Sequence, residues 1–200
     1  MTGALEPHTP IAIAITGGIG AGKSEALAAF ARAGAATVSS DQIVHELLRR
    51  EDVRDAIVER FGHGVVDPEG HLDRGAIGTV VFNDREALTW LEGLLHPLVS
   101  AEYLTWREQL GRLPHPPAVC VTEVPLLYES GAERHFDAVV VITAPREVRQ
   151  ERSSVAVAER EVRLLPDSEK IARADFSYVN DGSVGELEAF VAKVLARLNG

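Results

Sequence analysis

One run of eight residues constrains this chain more than any other: residues 17–24 read GGIGAGKS. They complete a G-x-x-x-x-G-K-S pattern, a turn whose backbone N–H groups wrap around phosphate oxygens. In such a turn Lys23 reaches the outer phosphates of a nucleotide such as ATP, and the Ser24 hydroxyl holds Mg²⁺. Gly18, Ile19, Gly20, Ala21 and Gly22 form the cradle, because glycine lets the backbone turn tightly and approach an anion closely. The flanking residues agree with this reading. The run IAIAI from Ile11 to Ile15 is apolar and strand-like. After Ser24, EALAAFARAGA predicts a helix with Leu27, Phe30 and Ala31 on one face, closed by Gly34. A helix that begins at the loop adds its dipole and its unbonded N–H groups to the anion site.

Two hundred residues suit one compact α/β domain with room for an insertion, and a hydrophobic share of 46% is enough for a core. The formal net charge of −10 argues against a nucleic-acid or membrane-surface partner and leaves small molecules. An acidic chain that binds a polyanion must gather its positive charge locally. Arg146, Arg149, Arg152, Arg160, Arg163 and Arg173 do fall in one short stretch. Cys120 is the single cysteine, so no disulfide forms within the chain, and its place in the run AVCV predicts a small buried hydrophobe. No apolar run approaches a membrane span. The opening MTGALEPHTP has neither the basic nor the apolar region of a signal peptide and is expected to be a loose tail over residues 1–9. The expected location is cytoplasmic.

Residues 10–40 read as a β–α–β unit ending in the strand AATVS. The character then changes. IVHELLRR, VRDAIVERF and RGAIGTVVF show apolar residues at helical spacing, and Leu88, Leu91, Leu95 and Leu98 make the clearest stripe. Strands resume with AVCVTEVP, DAVVVITAP and FSYVN, and SVGELEAFVAKVLARLNG closes the chain as an amphipathic helix opened by a Ser183/Glu186 capping box. Strands alternating with helices predict a parallel sheet with right-handed crossovers and ligands at the carboxyl ends of the strands. The predicted architecture is an α/β phosphate-loop sheet flanked by helices. Its core is residues 10–40 and 117–200, interrupted by a helical insertion over residues 41–116.

The motifs TGGIGAGKS, SSDQIVHELL, LDRGAIGTVVF, LLHPL, VPLLYESG, EKIARAD and YVNDGS, in this order, resemble the dephospho-coenzyme A kinases. The resemblance runs from Ile11 to Leu198. It implies a phosphate-loop core, a helical substrate-binding domain in the insertion 41–116, and a short mobile lid over about 146–170. It also implies phosphoryl transfer from ATP to the ribose 3′-hydroxyl of dephospho-coenzyme A. The alternative readings are a nucleotide-binding relative with little or no kinase activity, or a kinase for another nucleotide-like acceptor.

Several single residues carry physical expectations. Asp41 stands just past the second strand, where a carboxylate can accept a proton from an attacking hydroxyl or cap the following helix. The family's pattern there is D-A-D; here it is Ser39-Ser40-Asp41, so one carboxylate is replaced by a serine. Glu123 closes a strand and can hold a Mg²⁺ water shell, although the family more often has aspartate. Pro125, Leu126 and Leu127 are expected to shape the substrate wall. By resemblance the His96-Pro97 region, at the end of the leucine stripe, contacts the acceptor; the local alternative is a proline kink beside a packing histidine. Arg152 matches the family's arginine after the last long strand, where a guanidinium stabilises charge on the transferring group. The lid is shorter than the family's, and Arg160 or Arg163 is its candidate second arginine. Glu25 and Gly78 replace a common threonine and arginine.

Overall fold

A computed structural model describes residues 9–152 and 164–199. The opening residues of the expected tail, and Arg160 and Arg163 within the expected lid, lie outside the described residues. The strands are β1 (Ile11–Thr16), β2 (Ala36–Ser39), β3 (Val119–Glu123), β4 (Ala138–Thr143) and β5 (Phe176–Val179). The helices are α1 (Lys23–Arg32), α2 (Ser40–Leu47), α3 (Glu51–Phe61), α4 (Arg74–Asn83), α5 (Arg85–Gly111), α6 (Arg146–Arg152), α7 (Asp167–Arg173) and α8 (Val184–Asn199). The chain forms two compact units. One runs up to Ser40 and resumes at Leu104; the other is Asp41–Tyr103.

The first unit is a sheet in the order β2-β3-β1-β4-β5 with every pairing parallel. β1 and β3 alternate small with β-branched residues, and β4 is almost continuously β-branched. That is the composition of strands covered on both faces. On one face Ile13, Ile15, Val121, Val140 and Ile142 pack with Ala26, Ala29 and Phe30 of α1 and Leu187, Val191 and Val194 of α8. On the other, Ala14, Val139 and Val141 meet Val124, Leu127, Tyr128 and Ala132. The α1 face differs from the expected one. Ala26 and Ala29 are buried beside Phe30, Leu27 is only half-buried and Ala31 is exposed. Small alanines let α1 lie close to the bulky strand residues, and that fit outweighs residue size.

At the amino ends of the strands, side chains replace missing ladder partners. Ala12 N–H donates to Asp137 at 2.8 Å, and Val139 N–H donates to Asp175 at 2.8 Å. The capping box of α8 forms as read: Ser183 N–H donates to Glu186 at 2.7 Å, and Glu186 N–H donates to Ser183 Oγ at 3.3 Å. Cys120 is 2% exposed, and burial pushes its thiol up to about 11.

The second unit packs Val53, Ile57, Val65, Ile77 and Leu95 around an edge-to-face pair, Phe61 and Trp90, with centroids 5.2 Å apart. Pro97 does not end the helix that carries the leucine stripe; it lies inside α5. The carbonyl it leaves without a partner is that of Gly93, which is exposed, so water can satisfy it.

Lys170, on α7, is 0% exposed. Its Nζ lies 3.1 Å from Glu129 Oε1, which also accepts Leu165 N–H at 2.9 Å. A buried charge stripped of its partner is strongly destabilising, while removal of both charges is far milder. Lys170→Met is therefore expected to cost about 3–5 kcal/mol. Adding Glu129→Gln, which keeps an acceptor for Leu165, should recover much of that loss. Urea unfolding of the two variants checks this, and a double variant no more stable than the single would refute the pairing.

Candidate active site

The chain leaves β1 toward β2 on one side of the sheet, and leaves β3 toward β4 on the other. β1 and β3 are neighbours, so a crevice opens between their carboxyl ends, the place where open parallel sheets bind ligands. Residues 17–24 fill it. Gly17 has φ +147°, and a Cβ there would lie 1.9 Å from the Ile142 carbonyl oxygen of β4. Gly22 has φ +93°, and a Cβ there would lie 2.1 Å from the Asn180 side-chain nitrogen. The loop is thus pressed against β4 and against the segment after β5, with no room for side chains at either position. Helix α1 starts directly after Gly22, and no side chain caps it. Its first-turn N–H groups are those an anion would take.

Lys23 Nζ donates to the Gly18 carbonyl at 2.9 Å, so the ammonium curls back over its own loop. Ser24 Oγ donates to Glu123 Oε2 at 3.2 Å. Glu123 is 8% exposed and sits in register between Ile15 of β1 and Ser39 of β2. The position expected for a carboxylate in the D-A-D pattern, now Ser39, thus lies beside Glu123 on the sheet. Ser24 and Glu123 bring two hard oxygen donors together at the loop. Among the described residues no cluster of three or more His, Cys, Asp or Glu is built to hold a metal ion. An ion at Ser24 and Glu123 would complete its shell with phosphate and water oxygens, which is how Mg²⁺ is usually held.

Asn180 is a site residue that the sequence reading did not single out; it saw only the motif YVNDGS. The residue is 6% exposed. Its Nδ2 donates to the Ala21 carbonyl at 2.9 Å, and its backbone N–H donates to the Thr143 carbonyl at 2.7 Å. Its own carbonyl accepts Arg152 Nη1 at 3.0 Å. One asparagine therefore joins the phosphate loop, the end of β4 and the arginine of α6. A cavity of about 200 Å³ opens here, with Gly22, Arg152, Asn180 and Val184 in its wall. A second, of about 320 Å³, is lined by Gly18, Arg149 and residues 164–167. Arg149 lies 3.8 Å from Asp167. The sequence cue for Asn180 was slight: a side chain able both to donate and to accept, placed just past a strand.

The other expected residues divide. Pro125 and Leu126 are half-buried just after β3, and Thr16 Oγ donates to the Pro125 carbonyl at 3.3 Å. Leu127 is 0% exposed and belongs to the core, not to a substrate wall. Arg173 is taken from the arginine concentration by Glu133, with which it pairs, and by the Tyr128 ring, 4.1 Å beneath its guanidinium. Asp41 is the second residue of α2, and His96 lies half-buried within α5. Both belong to the helical unit.

Comparison with known proteins extends the reading to the whole fold. A family model described as dephospho-CoA kinase matches residues 11–186, from the first residue of β1 into the first turn of α8. The dephospho-CoA kinase of Symbiobacterium thermophilum is 40% identical over 187 residues, 90% of this chain and 77% of that one. That of Anaeromyxobacter dehalogenans is 41% identical over 199 residues, 94% and 92% of the two chains. The crystal structure of TT1252 from Thermus thermophilus is similar with a TM-score of 0.77 and 35% identity, over 96% of this chain and 99% of that one. The match takes in the loop, the strand-end carboxylate and the helical unit alike, and on it the chain belongs to the dephospho-CoA kinase family.

Proposed function

We propose that this chain transfers the γ-phosphoryl group of ATP to the ribose 3′-hydroxyl of dephospho-coenzyme A, giving coenzyme A and ADP. The observation that carries the reading is the convergence of Lys23, Ser24 and Glu123 at the carboxyl ends of β1 and β3, in a member of this family. The 3′-oxygen forms a bond to the γ-phosphorus, the bond to the β–γ bridging oxygen breaks, and the hydroxyl proton passes to Asp41. Little covalent work falls to the protein, so its contribution is positioning and charge. Lys23 exchanges the Gly18 carbonyl for phosphate oxygens, and the first-turn amides of α1 bind the same anion. Arg152, steadied by the Asn180 carbonyl, offsets charge on the transferring group.

Ser24 and Glu123 are the residues that would hold Mg²⁺, which supplies Lewis-acid neutralisation of the phosphate charge. The cavity walled by Gly22, Arg152, Asn180 and Val184 takes the adenine ring. His96, Pro125 and Leu126 contact the acceptor. A role limited to nucleotide binding is not favoured, because the loop keeps both its lysine and its paired serine, and the relatives most like this chain are named for the kinase. A cytoplasmic location suits a kinase of soluble nucleotides.

Lys23→Ala is expected to lower turnover by roughly a thousandfold or more, since the ammonium meets the phosphate as charge develops. Its melting temperature should stay near that of the native chain, because Lys23 is outside the core. Asp41→Asn should lower kcat about a hundredfold, the scale for a positioned base, with the KM for ATP unchanged. Native turnover in either variant would remove that residue from the mechanism.

Asn180→Ala removes the side-chain hydrogen bond to the Ala21 carbonyl of the loop and keeps the main-chain contacts to Thr143 and Arg152, so the KM for ATP should rise roughly tenfold, the scale of one buried hydrogen bond. Arg152→Ala should cost more turnover than Arg160→Ala or Arg163→Ala. Because the lid is short, some ATP hydrolysis without acceptor is expected as well. Steady-state kinetics with and without dephospho-coenzyme A reads all of these. Equal losses in the three arginine variants would deny Arg152 its role.

A further inference from the structure

We propose that the helical unit carries a diphosphate-binding cleft of its own, and that the cleft seats the diphosphate of the acceptor. This rests on the kinase reading above. Within the unit lies a cavity of about 470 Å³. His45, Arg49, Arg54, His71 and Arg74 line it, and among the described residues no carboxylate does. In a chain of net charge −10, five basic side chains around one hollow gather positive charge at a single place, which suits an anion.

The local structure builds the cleft deliberately. Asp67 holds a tight turn: its carbonyl accepts Gly70 N–H at 3.0 Å, and its Oδ1 accepts His71 N–H at 2.7 Å. Val66 and Leu72 then bridge across that turn. Asp73 caps α4 by accepting Gly75 N–H at 2.7 Å, which leaves Arg74 as the first helical residue. A cation at a helix start opposes the macrodipole, so its place there does not serve the helix. Among the described residues Arg74 has no ion-pair partner. Arg54 is held by Asp55 at 2.9 Å, while Arg49 stands 3.6 Å from Glu46 and His71 3.7 Å from Asp67. Arg54 is thus committed, Arg49 and His71 loosely, and Arg74 not at all.

Spacing ties the cleft to the acceptor. Asp41, His45 and Arg49 follow at intervals of four along α2 and the turn that extends it, so they stack on one face about a helical turn apart. In dephospho-coenzyme A one ribose ring and its 5′-carbon separate the 3′-hydroxyl from the diphosphate, a span of the same order as a turn of about 5.4 Å. A hydroxyl at Asp41 therefore brings the diphosphate to His45 and Arg49, with Arg74 closing from α4. Guanidinium groups suit this task, since their planar donors match phosphate oxygens in pairs.

Two measurements on the full chain test this. In the first, Arg49→Gln and Arg74→Gln are assayed for KM toward each substrate. Each should raise the KM for dephospho-coenzyme A roughly tenfold or more, the scale of a lost charge-assisted contact, and leave the KM for ATP near native. Arg112→Gln, outside the cleft, should change neither. An acceptor KM that stays native, or an ATP KM that rises equally, overturns the proposal. In the second, inorganic pyrophosphate is titrated while the imidazole NMR signals of His45 and His71 are followed. Residues 17–24 contain no histidine, so binding at the phosphate loop does not mimic the effect. Shifts at both histidines that vanish in the two arginine variants support the cleft; signals that do not move overturn it. A native chain that fails to phosphorylate dephospho-coenzyme A would sink the kinase reading, while the pyrophosphate titration still reads the cleft.

Discussion

β1 is hydrogen-bonded along both edges, to β3 and to β4, and what is functional in the sheet unit depends on where that strand ends. A central parallel strand with both faces covered cannot slide, because a one-residue slip would turn Ile13 and Ile15 away from α1 and α8. Its carboxyl end is therefore fixed to within a residue. The same ladder fixes Glu123 opposite Ile15, which brings the carboxylate within reach of Ser24. Of the loop's own side chains Ala21 enters the core, fully buried. The loop is shaped by the surfaces it lies on, the Ile142 carbonyl at one end and the Asn180 amide at the other.

Much of this was legible in the residues. A glycine loop between an apolar strand and a helix leaves few alternatives, and alternating strands and helices imply parallel pairing. The capping box at Ser183 was readable because both of its partners lie within one turn. What was not legible depends on distant partners. The buried face of α1 is chosen by how closely it can approach the sheet, so Ala29 goes inside and Ala31 outside, although the two are chemically identical. Leu127 reads as a candidate wall residue until Ala14 and Val141 are seen against it. Asn180 is only one polar residue in a turn until the fold carries Ala21 to it across 159 positions of sequence.

The distribution of cations follows a consistent division. The chain has three lysines, Lys23, Lys170 and Lys193. One curls over the phosphate loop, one is sealed against Glu129, and one rides on α8. All other permanent positive charge is arginine, whose planar donors fix direction as well as sign. Arg152 binds a carbonyl, Arg173 both a carboxylate and a ring, and Arg107 ties the Pro10 carbonyl to Asp137. Such placement keeps the acidic surface intact while reserving directed charge for particular sites.

Cys120 has a chemical consequence beyond packing. Coenzyme A and its dephospho precursor both end in a thiol, and in their oxidised forms they exchange with any thiolate they can reach. An enzyme that repeatedly takes up and releases such molecules is exposed to capture as a mixed disulfide. The single sulfhydryl of this chain is 2% exposed on β3 and, with its thiol pushed up to about 11, is almost never a thiolate near neutrality. The protein therefore offers its own substrate and product no sulfur to attack.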